Sequence, residues 1–206
     1  MTSSRERHAA LMEFAAQQGG YFTAHQALRA GYTYPRHHYH IQTGDWERVA
    51  RGIFRLRDYP LSEREDLIVL SLMSHNRAGQ PEAVFSHETA LALQDLGEVN
   101  PARIHLIVPP HFRRKLPNGV VLHHGNVPSS DWEERDGYRV TTPLRTLVDI
   151  ASDAASWPYL EAAVRDALRQ GTVRRGQLQS AVTSDEAHAR LLAAIAAAEE
   201  KANTSV

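Results

Sequence analysis

The chain has 206 residues, enough for one or two domains with a sizeable core. Its 23 Lys and Arg nearly balance 24 Asp and Glu, and it has no cysteine, which excludes disulfides, thiolate catalysis and Cys-ligated zinc fingers. No run nears the ~18 apolar residues of a membrane span, and the opening MTSSRERH lacks an apolar signal segment, so a cytoplasmic location without a membrane partner is expected.

The balanced average hides segregation. Residues 1–57 hold eight Arg, no Lys and four acids, a net of +4, together with five of the 12 histidines. The rest of the chain carries a net of −5. A basic head on an acidic body is the asymmetry expected when one part meets a polyanion. Arg used to the exclusion of Lys suits bidentate phosphate and guanine contacts.

In chain order, Ser3 and Ser4 cap a predicted helix over 5–17, with Ala10, Leu11, Phe14 and Ala15 as an apolar stripe. Gly19-Gly20 ends it, and Thr23 caps a short helix over 24–30 that stops at Gly31. Thr33 caps a third helix running to Gly44, with Pro35 tolerated in its first turn. Residues 45–49 and 53–56 alternate around Ala50-Arg51-Gly52 and read as a β-hairpin. Three short helices and a basic hairpin are the layout of a winged helix-turn-helix. On the third helix Tyr34, His37 or His38, and Ile41 fall on a core-facing stripe, which turns Arg36, Tyr39, His40 and Thr43 outward. Arg51 and Arg55 on the wing are placed to hold phosphates, with Arg51 also able to enter a minor groove. The candidate DNA-binding set is Thr33, Tyr34, Arg36, Tyr39, His40, Thr43, Arg48, Arg51 and Arg55.

The run GYFTAHQALRAGYTYPRHHYHIQTGDWERVARGIFRL resembles the N-terminal domain of the AbiEi family of antitoxins, whose wing reads G-x-W-x-R-V-x-x-G-[IV]-[FY]. Here those positions are Gly44, Trp46, Arg48, Val49, Gly52, Ile53 and Phe54. FSHETALALQDLG at 85–97 and TTPLRTLVDIA at 141–151 resemble segments of that family's second domain, so the similarity covers roughly residues 5–175. Pro35 and the run RHHYH depart from the family's more usual aliphatic and Arg positions in the third helix. The resemblance implies a transcriptional autorepressor that binds inverted repeats in double-stranded promoter DNA, as a homodimer. It also implies a second domain that counters a nucleotidyltransferase toxin, directly or only functionally. In type IV systems the antitoxin opposes the toxin's effect without a stable complex.

Past the breaker Asp58-Tyr59-Pro60, helices are predicted over 62–76 and 89–96, and strands over 104–108, 120–124 and 138–141. Further helices follow over 143–151, 159–171 and 176–182, and an Ala-rich helix over 185–202 has only Leu191, Leu192 and Ile195 as bulky residues. The expected fold is α+β: a winged helix-turn-helix at 1–57, a mixed α/β antitoxin domain with a small sheet at 58–182, and a C-terminal helix and tail at 183–206.

The same residues hold no complete catalytic or metal-binding motif. His87-Glu88 lacks the second histidine of HExxH, since Ala92 stands there, and Ser86 with Glu88 reads as helix-cap chemistry. His37, His38 and His40 fan over different helix faces, and His123 and His124 point to opposite sides of a strand. No metal site, cofactor or enzymatic activity is therefore expected. Arg113, Arg114 and Lys115, the densest basic cluster, form a candidate second nucleic-acid contact on a loop. Two other readings stand beside the repressor: a protein-interaction module that sequesters a partner without DNA, and a hydrolase centred on His87 and Glu88.

Overall fold

The computed structural model describes residues 3–181 and 183–204, with side chains as far as Lys201. Val182, the predicted end of one helix, lies outside the described residues. Two compact units divide the chain: residues up to 83 with 113–116 and 134–139, and 84–112 with 117–133 and everything from 140 on. The breaker at 58–60 therefore falls inside the first unit, and the loop 113–116 groups with that unit.

The first unit opens with α1 (Ser4–Ala16), closed at its start by a capping box between Ser3 and Glu6. β1 (Tyr21–Thr23) follows, then α2 (Ala24–Arg29), whose Thr23 cap is reciprocated by Gln26. α3 (Tyr34–Thr43) starts after Thr33 and ends at Gly44, which takes φ 81°, the left-handed conformation that glycine adopts without penalty. β2 (Trp46–Ala50) and β3 (Ile53–Leu56) form the wing, with a register shift between Arg48 and Ala50. The three strands make an antiparallel sheet in the order β1-β3-β2. Leu11, Ala15, Phe22, Ala27, Tyr32, Trp46, Phe54 and Leu56 pack beneath it as one core. At Gly20 a Cβ would stand 2.5 Å from the Tyr59 ring, so the turn after α1 admits no side chain. α4 (Glu65–Met73) completes the unit's helices and is shorter than the predicted 62–76. Its Glu65 accepts a 2.6 Å hydrogen bond from the Tyr21 hydroxyl.

The second unit begins with β4 (Val84–Phe85) and α5 (His87–Leu93), followed by β5 (Ile104–Val108) and β6 (Val120–His124). β7 (Trp132–Arg135) and β8 (Tyr138–Thr141), whose residues 134–139 group with the first unit, are joined by a turn at Asp136-Gly137, and the strand order is β6-β5-β4-β8-β7. β4 runs antiparallel to β5 and parallel to β8, and β5 runs parallel to β6. α6 (Pro143–Ser152), a 3₁₀ segment at Ala154–Tyr159, α7 (Leu160–Gln170), α8 (Arg175–Gln179) and α9 (Asp185–Thr204) follow. Leu91, Leu147, Ile150, Val164, Leu178, Leu191 and Ile195 centre their common core. α9 buries more than Leu191 and Ile195, because Ala187, Ala194 and Ala198 are buried with them and let the helix approach closely, while Leu192 is exposed. No described helix is long and apolar enough to cross a membrane.

Candidate nucleic-acid interface

Trp46 is the centre on which α3 and the wing are assembled. Its ring meets Phe22 at 4.8 Å and Tyr32 at 5.0 Å edge-on, and His40 stacks on it at 4.9 Å. His37 and Phe54 close the cluster at 5.4 and 5.9 Å. His37 is buried and neutral: burial holds its pKa below the usual value, and its Nε2–H donates to the Tyr32 carbonyl at 2.9 Å. The tryptophan of the wing motif is thus a packing residue that fixes the pose of the exposed side chains around it.

Those exposed side chains lie on one stripe of α3. Arg36, Tyr39 and Thr43 recur at three and four residues, and all three face solvent. Tyr39 is 59% exposed and Tyr34 67%, so Tyr34 leaves the core-facing stripe predicted for it and joins the outer one. It sits in the first turn of α3, at the rim of the Trp46 cluster, where it touches His37 edge-on. Thr33 is exposed at the N-cap, with no side-chain cap hydrogen bond. His40 and Thr43 converge on Asp45: His40 Nδ1 and Thr43 Oγ1 each lie 2.8 Å from the Asp45 carboxylate. These two hydrogen bonds, His40's first, hold the Asp45 carboxyl below its usual range. Thr43 remains exposed, whereas His40 is half-buried against Trp46.

On the wing, Arg48 and Arg51 are exposed, with Arg51 in the turn after β2. Among the described residues neither they nor Arg36 enters an ion pair. Arg55 does not belong with them. It is 9% exposed, its Nη1 donates to the Tyr59 carbonyl at 2.8 Å, and its Nη2 pairs with Glu47 at 3.1 Å. β3 is covered on both faces, so Arg55 is buried on either side of the strand, and there it ties the wing to the following loop. Arg57, which strand spacing did not single out, is exposed, and a Cβ at Gly44 would lie 3.0 Å from its Nη2. That places its guanidinium beside the C-terminus of α3.

Arg113, Arg114 and Lys115 are all exposed on an irregular loop of the first unit, and Arg114 Nη1 reaches the Met73 carbonyl at 3.4 Å.

The motif at 141–151 is a buried framework in the second unit. Thr142 caps α6 by accepting from the Arg145 amide, and Pro143 occupies its first turn. Arg145 Nε donates to Asp149 at 2.8 Å, and its Nη1 donates to Asp131 at 3.2 Å. Burial pushes the Asp149 carboxyl up to about 6, against the pull of Arg145.

The histidines separate as strand and helix geometry dictates. His37 turns inward, His38 outward and His40 onto Trp46, so no shared site forms on α3. His123 and His124 take opposite sides of β6. His123 instead meets His105 from β5, with 3.0 Å between Nδ1 of His105 and Nε2 of His123, and stacks on His87 from α5 at 3.6 Å. Ser86 does stand at the N-cap of α5, but its hydroxyl engages His87 Nδ1 at 2.9 Å and makes no cap hydrogen bond. Local sequence pattern does not reveal this cluster, because its members are far apart in the chain. The available signal was that His105 and His123 occupy like-facing positions on two strands.

The family described as "Transcriptional regulator, AbiEi antitoxin" matches residues 9–57, and that described as "AbiEi antitoxin C-terminal domain" matches residues 82–197. No protein of curated function matches the sequence. Among solved structures, the RV2827C protein from Mycobacterium tuberculosis is similar with a TM-score of 0.55 at 16% identity, over 93% of this chain and 77% of that one. At that identity the likeness speaks for the fold. With the two matches together spanning the wing cluster and the α6 framework, the chain belongs to the AbiEi family of antitoxins and transcriptional regulators.

Proposed function

We propose that the first unit binds double-stranded DNA at inverted repeats in the promoter of its own operon and represses it, two copies occupying one operator. The observation that carries this reading is the exposed stripe of α3, Arg36, Tyr39 and Thr43, held by the Trp46 cluster beside a wing that exposes Arg48 and Arg51. α3 enters the major groove, where Arg36 donates to guanine N7 and O6. Tyr34, Tyr39 and Thr43 reach phosphates or base edges, and the exposed N-terminus of α3 with Thr33 favours a phosphate. Arg48, Arg51 and Arg57 contact the backbone on either side. Arg113, Arg114 and Lys115 supply a second, weaker contact. The second unit counters a nucleotidyltransferase toxin, directly or through its effect.

Fluorescence anisotropy of a labelled promoter fragment, titrated with the full chain at several salt concentrations, tests the DNA reading. Neutralising about five phosphates gives a slope of log K against log salt of about −4 to −5. Arg36→Ala weakens the cognate site more than unrelated DNA, by about 1–3 kcal/mol for a lost bidentate base contact. Binding indifferent to salt, or unchanged in Arg36→Ala and Arg51→Ala together, overturns it.

A further inference from the structure

Three imidazoles converge in the second unit from places distant in sequence. His87 is the first residue of α5, His105 lies on β5 and His123 on β6. The parallel register pairs Ile107 with His123 and His105 with Val121, so the two strand histidines are diagonal neighbours on one face. One ring nitrogen from each of the three lies within 4.8 Å of the others. The His87 and His123 rings are stacked at 3.6 Å and 10°, and His105 lies 5.3 Å from His123 between ring centroids.

Packing alone accounts poorly for this arrangement. His87 adopts φ 50°, a left-handed conformation unfavourable for a residue with a side chain. That backbone delivers its ring into the cluster. A phenyl ring or a leucine would fill the same space without buried nitrogens to satisfy. Two of the nitrogens that point away from the centre have polar neighbours. His87 Nδ1 is 2.9 Å from Ser86 Oγ, and His105 Nε2 is 3.8 Å from the Glu88 carboxylate. Glu88 is itself held by a hydrogen bond from Ser156 Oγ at 3.2 Å. A hydroxyl or carboxylate on the outer nitrogen of an imidazole is the usual support of a metal-binding histidine.

We propose that His87, His105 and His123 bind one divalent transition-metal ion, zinc by preference, through His87 Nε2, His105 Nδ1 and His123 Nε2. Imidazole suits zinc, copper, nickel and iron, and three neutral nitrogens with a neighbouring carboxylate and no thiolate favour zinc among them. Two nitrogens bound to zinc at tetrahedral angles stand about 3.3 Å apart. The His105–His123 separation of 3.0 Å is close to that value, while the near-parallel His87 and His123 rings, 10° apart in plane, must turn out of their stack for their in-plane lone pairs to converge on one ion. The ion takes the place of the proton that His105 and His123 share, and Glu88 sets a negative charge 3.8 Å from His105 Nε2. All three rings are held in the neutral, metal-binding form, chiefly by burial. The fourth position is left to water. Bound there, the ion ties α5 to β5 and β6.

The test is a zinc titration of the full chain after chelator treatment, followed by calorimetry and by long-range proton–nitrogen NMR of the histidine rings. One equivalent is expected to bind, with three imidazoles changing their nitrogen shifts together while His37 does not. His123→Gln loses that equivalent, and the paired change His38→Gln with His40→Gln, which removes histidines of α3, keeps it. If His123→Gln fails to fold, the ring spectra of the unaltered chain decide alone. Absence of stoichiometric binding, shifts confined to the α3 histidines, or an equivalent retained in folded His123→Gln overturns the proposal. The measurement reads the second unit and is independent of DNA binding.

Discussion

His40 stacks on Trp46 with 4.9 Å between ring centroids and 20° between planes, while its Nδ1 holds Asp45 at 2.8 Å. The last turn of α3 is thereby clamped to the first residues of the wing. Two elements that would each be marginal alone share one buried ring. Orientation of the exposed α3 stripe is consequently a property of residues that touch no ligand.

Trp46→Ala separates stability from contact. Removing a buried tryptophan costs about 3–5 kcal/mol through lost burial and the cavity left behind. Urea unfolding followed by circular dichroism should show that loss, while Arg36→Ala, at an exposed position, should unfold within about 0.5 kcal/mol of the parent. Equal stability of Trp46→Ala and the parent would contradict the assembly described here.

Arg51 and Arg55 stand four residues apart and should behave oppositely. Arg51→Ala is expected to leave the unfolding midpoint in place and to reduce the salt slope of DNA binding by about 1, the loss of one phosphate contact. Arg55→Met should leave the slope alone and lower stability by about 1–3 kcal/mol, since the Tyr59 carbonyl and Glu47 lose their partner. The same two variants in one anisotropy and urea series check both statements.

That contrast shows what was legible in the sequence. The first three helices announced themselves through Ser3, Thr23, Thr33 and the glycines that follow them, and the wing through Gly52 and its flanking alternation. β1 did not, because it is three residues long and its Tyr21 and Phe22 are both buried, which erases any alternation. Arg55 was misplaced for the same reason: on a strand covered on both faces, period two says nothing about exposure. The α3 stripe followed helical periodicity except at Tyr34, where the helix has only just begun. The histidine cluster depended on the register of β5 against β6 and on the left-handed backbone at His87, neither of which local pattern encodes.

Arg145 neutralises a carboxylate that is mostly buried, so Arg145→Met should be costly at neutral pH, by about 3–5 kcal/mol. Without the guanidinium the folded-state pKa of Asp149 rises further above its unfolded value, so the folded variant takes up a proton more readily than the unfolded chain. The variant's deficit should accordingly shrink as pH falls from 7 toward 5. Urea midpoints at those two pH values measure it; a deficit independent of pH would contradict the assignment.

His75 gives an acid limb to the stability of the first unit. Burial first, then Arg114, Arg139 and His25, push it down to about 4, below its ordinary value of 6.5. The folded chain stays unprotonated there while the unfolded chain takes up a proton. Its contribution is therefore complete above about pH 6.5 and is lost as pH falls toward about 4, amounting to about 3 kcal/mol. His75→Leu should flatten the melting temperature against pH over that window relative to the parent. Parallel profiles for the two proteins would show that His75 does not titrate in this way.

A footprint of the full chain on its own promoter tests the central claim most directly. Two protected half-sites of opposite orientation, centred about 10 base pairs or a multiple apart, are predicted, with the protection lost in Arg36→Ala at the same protein concentration. Uniform or absent protection of that promoter, under conditions where the chain is folded, would contradict it.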